Sequence, residues 1–409
     1  MVFKNALRSS RSICLLLMFA ILAATLFGFA PLRSLEYKAY DLAANLRHRA
    51  AGIPVIIVAI DNKSLKSIGD WPWPRSYIAD IINTLSKNGA RTQGISILYR
   101  SRELNDGLAE IQNFKEHIHQ NPPIGKKQTL HKLDRLLAQT QTRLNHDARL
   151  IAAVRRARNV VLPLRFNLAE ADGRISTDLS DWLKLNSIEI DEASAAQNQP
   201  ARMAAFLPGW QLDKPIVASQ ISQPYDELSR KSGALGHTNL IADQDMVIRR
   251  VPLIVRFQNR EFLSLALQVA MKYLGAGIKS IRATSSGLQL KHIRIPTVGH
   301  HQMLVDFNGR EINIEKFSAV DVLEGKIPAE SFQHKIVLLG LTAEEFTPAY
   351  PTPGQGQASG IEIVASAVEN IINRTHFCCL SSRRYNPESA CSYSPFFWLH
   401  GSALRYGCL

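Results

Sequence analysis

Cysteine is almost absent from most of this chain of 409 residues. One of the five cysteines is Cys14, and the other four lie close to the end of the chain, at Cys378, Cys379, Cys391 and Cys408. The long stretch without cysteine excludes a small disulfide-stabilised scaffold and a cysteine-based zinc site. It also suits a domain that folds in an oxidising compartment without needing a disulfide.

Sequence motifs of catalysis are missing as well. The chain contains no G-x-S-x-G, G-x-G-x-x-G or GK[ST] motif. The histidine pairs His117-x-His119 and His300-His301 lack the spacing of zinc ligands. We therefore predict no catalytic residues, no metal site and no cofactor for this chain.

Only one apolar run is long enough to cross a bilayer, residues 13–30 (ICLLLMFAILAATLFGFA). As a helix this uncharged run would span about 27 Å, close to the thickness of the hydrocarbon core. Lys4, Arg8 and Arg11 precede it, and cations on that side favour a cytoplasmic N-terminus. We predict a cytoplasmic segment 1–12, a single-pass anchor in the inner membrane over 13–30, and an extracytoplasmic domain after it.

A cleaved signal peptide is the other interpretation of this run. Gly28-Phe29-Ala30 offers the small residues that precede a cleavage site. Signal peptides have shorter apolar cores, whereas this run matches a full bilayer. We therefore favour an anchor that is not cleaved.

The formal charge of +13 is concentrated at the two ends of the chain. Residues 1–50 carry a surplus of five cations and residues 374–409 a surplus of three, which leaves five for the long stretch between them. A nucleic-acid-binding domain places its positive charge on the folded body, with aromatic residues among the cations. We therefore predict no nucleic-acid partner.

Strand and helix patterns alternate after the predicted anchor. Residues 54–61 (PVIIVAID) form an apolar, β-branched run that is typical of a buried strand. An amphipathic helix over 77–87 and a second strand over 91–99 complete a β-α-β unit. Residues 101–145 follow as a long polar insertion without a strand pattern, mobile or loosely helical.

The rest of the pattern completes the predicted fold. Ala234–Leu240 and Val247–Phe257 suggest a hairpin. The fold class we predict is α/β, or α+β, with a single mixed sheet, flanking helices and the polar insertion. Further predicted elements are helices at 147–158, 264–273, 318–323 and 361–372 and strands at 159–164, 302–307 and 335–340.

Asp61, Trp73 and Arg75 are the predicted ligand-binding residues. Asp61 ends a buried strand, where open α/β sheets place ligand-binding groups, although it could equally cap the following short helix. Trp73 and Arg75 belong to the loop WPWPR and could supply a stacking face and an anion clamp. In the alternative interpretation, the tryptophans of this loop cover the end of the sheet.

Two charged motifs have structural interpretations. Asp243-x-Asp245 resembles a fragment of a calcium loop but lacks its glycine and its final glutamate, so we interpret it as a turn. Arg249 and Arg250 would alternate across a strand. We therefore expect one of these two arginines to point inwards and to pair with a carboxylate.

Several stretches in order along the chain resemble the type-two CHASE domain, a family of extracytoplasmic sensor domains of bacterial receptors. The resemblance covers about residues 36–373 and implies a sensor domain over 31–373 that binds a small molecule or an envelope signal and catalyses no reaction. The matching stretches include VIIVAIDNKSLKSIGDWPWPR (55–75), DARLIAAVRRARNVVLPL (147–164), GHTNLIADQDMVIRRVPLIV (236–255), FSAVDVLEGKIPAESFQHKIVLLG (317–340) and GIEIVASAVENII (360–372).

Residues 374–409 differ in composition from the rest and hold four of the five cysteines. We interpret them as an aberrant, disordered tail of a frameshifted or truncated gene product. The resemblance implies further membrane helices and a cyclase, phosphodiesterase or kinase output domain, which we expect this chain to lack. An anchored or secreted α/β hydrolase that uses Asp61, and a structural envelope protein without a ligand, are the alternative functions. Pairing of two copies as a homodimer is left open.

Overall fold

The computed structural model describes residues 14, 18, 34, 37–42, 44, 55–120, 127–168, 179–190, 216–284, 287–298, 301–307, 314–353 and 356–374. The predicted anchor at 13–30 and the tail at 374–409 therefore lie almost entirely outside the described residues and stay predictions. Within the part of the chain that the structure does describe, no helix combines the length and the apolar character needed to cross a bilayer.

The first half of the described chain alternates strands and helices. Its elements are β1 (Val55–Ile60), α1 (Asn62–Ile68), α2 (Arg75–Lys87), β2 (Thr92–Ile95), α3 (Asp106–Gln120), α4 (Lys127–Leu144), α5 (His146–Ala157), β3 (Val160–Asn167), α6 (Asp181–Leu185), β4 (Ser187–Glu189), β5 (Gln220–Ser222), α7 (Asp226–Ser229) and β6 (Ala234–His237). Residues 37–42, before β1, are helical as well.

The second half adds shorter strands and the closing helix. Its elements are β7 (Arg250–Pro252), β8 (Ile254–Phe257), β9 (Arg260–Leu263), α8 (Leu265–Tyr273), β10 (Ile281–Thr284), β11 (Gly287–Leu290), β12 (Ile293–Pro296), β13 (Gln302–Leu304), β14 (Glu315–Ser318), α9 (Ala319–Leu323), β15 (Ile336–Leu341), β16 (Tyr350–Thr352), β17 (Gly356–Ala358) and α10 (Gly360–Asn373). Single turns of 3-10 helix lie at Ile278–Ser280 and Ala329–Ser331.

A mixed seven-stranded sheet forms the centre, with the order β14-β1-β15-β2-β3-β5 and with β6 also paired to β3. All of these pairs are parallel except β3 with β5, which is antiparallel. Because the strands are parallel, their N-terminal ends lie together along one side of the sheet and their C-terminal ends lie together along the opposite side. We call these the amino edge and the carboxyl edge.

Both faces of the sheet are covered, and β1 shows how. Val55, Ile57 and Ala59 pack into a core that includes α8 and α10, whereas the alternate residues Ile56, Val58 and Ile60 pack into a second core with α2 and α5. A strand that is buried on both faces reads as a continuous apolar run. This confirms the buried strand that the sequence predicts at 54–61.

The predicted hairpin between 234–240 and 247–257 is wrong. β6 instead runs parallel to β3 inside the main sheet, and all four of its residues are buried. β7 pairs with β13 and β8 pairs with β9, in separate small sheets. Closeness in sequence suggested a hairpin, but β6 instead buries its residues by pairing with β3 and packing against α8.

The single sheet of the prediction is also too simple. Four smaller sheets accompany the main one among the described residues, made of β10-β11-β12, β4-β9-β8, β7-β13 and β16-β17. The flanking helices are confirmed, and the polar insertion at 101–145 contains α3 and α4, which pack on each other. No residue of α3 is buried, so these two helices stand apart from the core.

Replacing Gly236 with alanine is expected to destabilise the domain by about 1–3 kcal/mol. A Cβ at this position would lie 2.7–2.9 Å from backbone atoms of Ser264 and Leu265, and backbone cannot rotate away as a side chain can. The measurement is urea unfolding of the purified full chain. Gly277→Ala is the matched control, because a Cβ there meets nothing within 4 Å. Equal losses in the two variants would contradict the close approach of β6 to α8.

Candidate functional site

A cleft of about 340 Å³ opens at the carboxyl edge of the main sheet, where β1, β14 and β15 end. The segment before α10 and the first turn of that helix form its other wall. A Cβ added to Gly340, near the end of β15, would lie 2.9 Å from Ile361, which shows how closely α10 begins against the sheet. The polar residues of the lining are Asp61, Lys316, Ser318, Thr342, Glu344, Thr347, Gln357, Ser359 and Glu362.

Asp61 lies on the lining of this cleft, and its contact with a ligand stays a prediction. It also caps α1, as the alternative interpretation proposed, because its Oδ1 accepts the Ser64 backbone N–H at 2.9 Å. The hydroxyls of Ser64 and Ser318 donate to the same oxygen, each at 2.7 Å. Burial raises the pKa of Asp61, but these hydrogen bonds outweigh it, so the pKa is lowered overall. Asp61 is therefore a carboxylate at neutral pH.

The two walls are joined by an ion pair between Lys316, on β14, and Glu362, in the first turn of α10. The other carboxylate oxygen of Glu362 accepts the Ser359 backbone N–H at 2.7 Å and its hydroxyl at 2.8 Å, as part of a capping box. Burial raises the pKa of Glu362, but the hydrogen bonds from Lys316 and Ser359 outweigh it and lower the pKa overall. The ion pair therefore joins the start of α10 to the sheet across the cleft.

The charge of the lining is negative. Among the described lining residues, the carboxylates of Asp61, Glu344 and Glu362 face one ammonium, that of Lys316. Hydroxyl and amide groups supply the remaining polar atoms of the lining. A cleft of this composition favours a small polar ligand that carries a positive charge.

Trp73 lies in the predicted loop but is buried, with 4% of its surface exposed. Its indole N–H donates to the Gly69 carbonyl at 2.7 Å, and its ring contacts those of Trp71 and Tyr77. This packing agrees with the alternative in which the tryptophans cover the end of the sheet. A stacking role toward a ligand stays a prediction.

Arg75 belongs to a second buried group, separate from the hydrogen bonds of Asp61. Its guanidinium pairs with Asp147, at the start of α5, and donates to the Ser101 carbonyl. The rings of Tyr99 and Tyr225 lie on it, with centroids 4.8 Å and 5.4 Å away. The sequence predicts that Arg75 binds an anionic ligand. In the structure the anion that Arg75 contacts is the Asp147 carboxylate. Binding of a ligand by Arg75 stays a prediction.

Sequence reasoning missed Lys316, Glu344 and Glu362 as candidate site residues. They lie in β14, in the loop after β15, and in the first turn of α10. The signal that could have found them is the rule that located Asp61, since each lies at or near the end of a parallel strand or at the start of the helix that follows. The order of the strands in the sheet, which brings these residues together, was not evident from the sequence.

A second charged cluster surrounds Arg249, whose side chain is only 3% exposed. Its guanidinium donates to Asp41 on the helical segment 37–42, with both distances 2.8 Å, and to the carboxylates of Asp243 and Asp245. Arg250 pairs with Asp243 and with no other carboxylate among the described residues. This confirms that one of the two arginines points inwards to a carboxylate, and it explains the Asp243-x-Asp245 motif as a partner for Arg249. Over the described chain no group of three or more side chains is arranged to hold a metal ion.

These features define a mixed α/β domain with a ligand-sized polar cleft at the carboxyl edge of its sheet. The family model of the CHASE2 domain matches residues 14–400, and the chain belongs to this family. This match confirms the resemblance seen in the sequence. The family consists of extracytoplasmic sensory domains, so the match is compatible with a placement outside the cytoplasm. Neither the search of curated proteins nor the search of solved structures found a match.

Proposed function

We propose that this chain is a membrane-anchored extracytoplasmic sensory domain that binds a small cationic ligand in the cleft at the carboxyl edge. The observation that carries the proposal is the position of this cleft in a member of a sensory family. Open α/β sheets bind ligands at the carboxyl ends of their strands. Asp61, Glu344 and Glu362 are the residues to which we assign ligand contacts.

Anchoring is supported by the sequence alone. The apolar run 13–30 has the length of a bilayer-spanning helix, and Lys4, Arg8 and Arg11 precede it. With this orientation the domain that begins at β1 lies outside the cytoplasm. The anchor then keeps the domain close to the membrane surface, and the ligand reaches it from the extracytoplasmic side.

The ion pair between Lys316 and Glu362 suggests how a ligand could act. A cationic ligand in the cleft would compete with the Lys316 ammonium for the Glu362 carboxylate at the start of α10. This helix of 14 residues is about 21 Å long and crosses the sheet from the carboxyl edge to the amino edge. A ligand shifts such a helix only if it binds two of its arrangements with different affinities. We propose that occupancy of the cleft selects between two positions of α10.

Thermal-shift screening of the purified full chain tests the proposal. The probes are amines, amino acids and polyamines, with carboxylates of similar size for comparison. We expect a cationic compound to raise the melting temperature, and Glu344→Gln to weaken its binding about tenfold or more. Glu345→Gln is the matched control, because it removes the same charge from the adjacent residue, which is not part of the lining.

Three outcomes would contradict this assignment. Equal weakening by Glu344→Gln and Glu345→Gln would place the ligand elsewhere. Stabilisation by carboxylates alone would reverse the expected charge of the ligand. Turnover of generic ester, phosphate or glycoside substrates that Asp61→Asn abolishes would support the alternative hydrolase instead.

A further inference from the structure

Exposed cations accumulate at the amino edge of the main sheet. The strands there begin in register, with Val55 beside Ile336 and Ile336 beside Thr92. Helix α5 ends at this edge, because its cap Arg158 lies two residues before Val160, the first residue of β3. Helices α2 and α10 also run from the carboxyl edge towards the amino edge, so the last turns of all three helices lie on one side of the domain.

Three arginines at the end of α5 line an open recess of about 490 Å³. Arg155, Arg156 and Arg158 are all exposed, and Ala152 completes the lining. Among the described residues, none of the three has a carboxylate within ion-pair distance, and Arg156 donates only to the amide oxygen of Asn83, at 3.2 Å. Arg149, less than two turns earlier on the same helix, is instead paired with Asp80 at 2.9 Å.

Backbone conformation adds to the evidence from charge. Arg158 and Arg374 cap α5 and α10 with φ values of 59° and 56°, in the left-handed region that favours glycine or asparagine. Favourable interaction with the carbonyl end of a helix explains one cation in a last turn. It does not explain why arginine also occupies the left-handed cap positions of α5 and α10, whereas Gly89 has the positive φ that follows α2. Exposed Lys87 and Arg91 lie at this edge as well, at the end of α2 and the start of β2.

We propose that this basic edge rests on the anionic phospholipid headgroups of the membrane that anchors the domain. The inference rests on the proposed anchor, because the chain that leaves the anchor enters the sheet at β1 on this same edge. Arginines bind phosphate through paired N–H groups, and cations close to an anionic bilayer are attracted to its surface. None of the described residues that line the recess is an aromatic on which a nucleic-acid base could stack, which favours lipid phosphate over single-stranded nucleic acid.

Hydrogen–deuterium exchange of the full chain in nanodiscs tests this contact. The discs contain phosphatidylcholine alone or with about one third phosphatidylglycerol. We expect residues 150–158 to exchange about fivefold more slowly in the anionic discs at low salt, and this protection to disappear at about 0.5 M salt. The triple variant Arg155→Gln, Arg156→Gln and Arg158→Gln should lose the protection.

The control variant removes the same charge from α3 and α4, by Lys115→Gln, Lys132→Gln and Arg135→Gln, and should retain the protection. Equal exchange in the two kinds of disc would overturn the inference while leaving the sensory function intact. So would protection in neutral discs that appears only on addition of a soluble RNA homopolymer. A chain that fails to enter the discs at all would refute the anchor, and with it both the proposed function and this inference.

Discussion

We expect the replacement of Arg249 with alanine to lower the free energy of unfolding by about 3 kcal/mol. The side chain is buried and donates five hydrogen bonds to the carboxylates of Asp41, Asp243 and Asp245. Burial disfavours the charge of Arg249, but these hydrogen bonds outweigh it and raise the pKa of the guanidinium. Removing the arginine leaves Asp243 paired, among the described residues, with Arg250 alone and takes the guanidinium away from the carboxylates of Asp41 and Asp245.

The same substitution should release the helical segment 37–42. Besides Asp41, this segment contacts Arg249 through the ring of Tyr37, whose centroid lies 4.4 Å from the guanidinium carbon. The hydrogen bond from the Tyr40 hydroxyl to the Val305 carbonyl, at 2.6 Å, does not involve Arg249 and survives the change. We therefore expect faster hydrogen exchange over 37–42 before the domain as a whole unfolds.

Chemical unfolding of the full chain in detergent measures the loss. Arg249→Lys should recover only part of it, because an ammonium cannot reproduce the planar fork that binds Asp41 through two nitrogens. Arg250→Ala is the comparison, since the one carboxylate partner of Arg250 in the described part of the chain is Asp243, which Arg249 still binds. A loss for Arg250→Ala as large as that for Arg249→Ala would contradict the central role of Arg249.

A second large effect is expected from acid, through His237. This residue ends β6 with 1% of its surface exposed, beside the ring of Phe166. In the described part of the chain neither of its ring nitrogens has a hydrogen-bond partner. Burial lowers the pKa of His237 to about 3. The imidazole is therefore neutral in the folded state throughout the physiological range.

The sign of the pH effect follows from the two pKa values. The unfolded chain protonates this histidine below about 6.5, whereas the folded domain resists protonation until about pH 3. The contribution is therefore fully present above pH 6.5 and is lost as the pH falls towards 3. At pH 5 the loss relative to pH 7 is about 2 kcal/mol, at about 1.4 kcal/mol for each pH unit below 6.5.

Comparing urea unfolding at pH 7 and at pH 5 isolates this contribution. His237→Phe should reduce the difference between the two pH values by about 2 kcal/mol, because phenylalanine cannot take up a proton. His334→Gln is the control, since His334 is exposed and its replacement should leave the difference unchanged. If the wild type and His237→Phe responded equally to pH, the buried neutral imidazole would be disproved.

The continuous apolar runs at β1, β3 and β15 made the parallel core predictable, because burial on both faces removes the alternation of polar residues. The partner of β6 was not predictable in this way. Its four residues, ALGH, fit either a hairpin or a parallel strand of the main sheet, and only the packing against α8 decides between them. Short strands such as β7 and β13 depend on pairing between segments that are distant in the sequence.

From the sequence, a residue of the candidate site could be predicted only where it directly follows a predicted strand. Asp61 does so directly after β1, and the structure places it on the cleft. Lys316 and Glu362 come together from β14 and α10, and that pairing depends on the order of strands in the sheet. For Arg75 the sequence prediction failed to include a contact within the protein. The sequence suggested an exposed cation in a loop, whereas in the structure Arg75 is buried and pairs with Asp147, which the sequence did not indicate.

The central claim is that this domain senses a signal on the extracytoplasmic side of a membrane that its own N-terminal helix crosses. The most direct measurement fuses alkaline phosphatase, and separately a fluorescent protein that matures only in the cytoplasm, after Arg374. We expect high phosphatase activity and no fluorescence from membrane-bound chains. Bright fluorescence with an inactive phosphatase would place the domain in the cytoplasm and contradict the account.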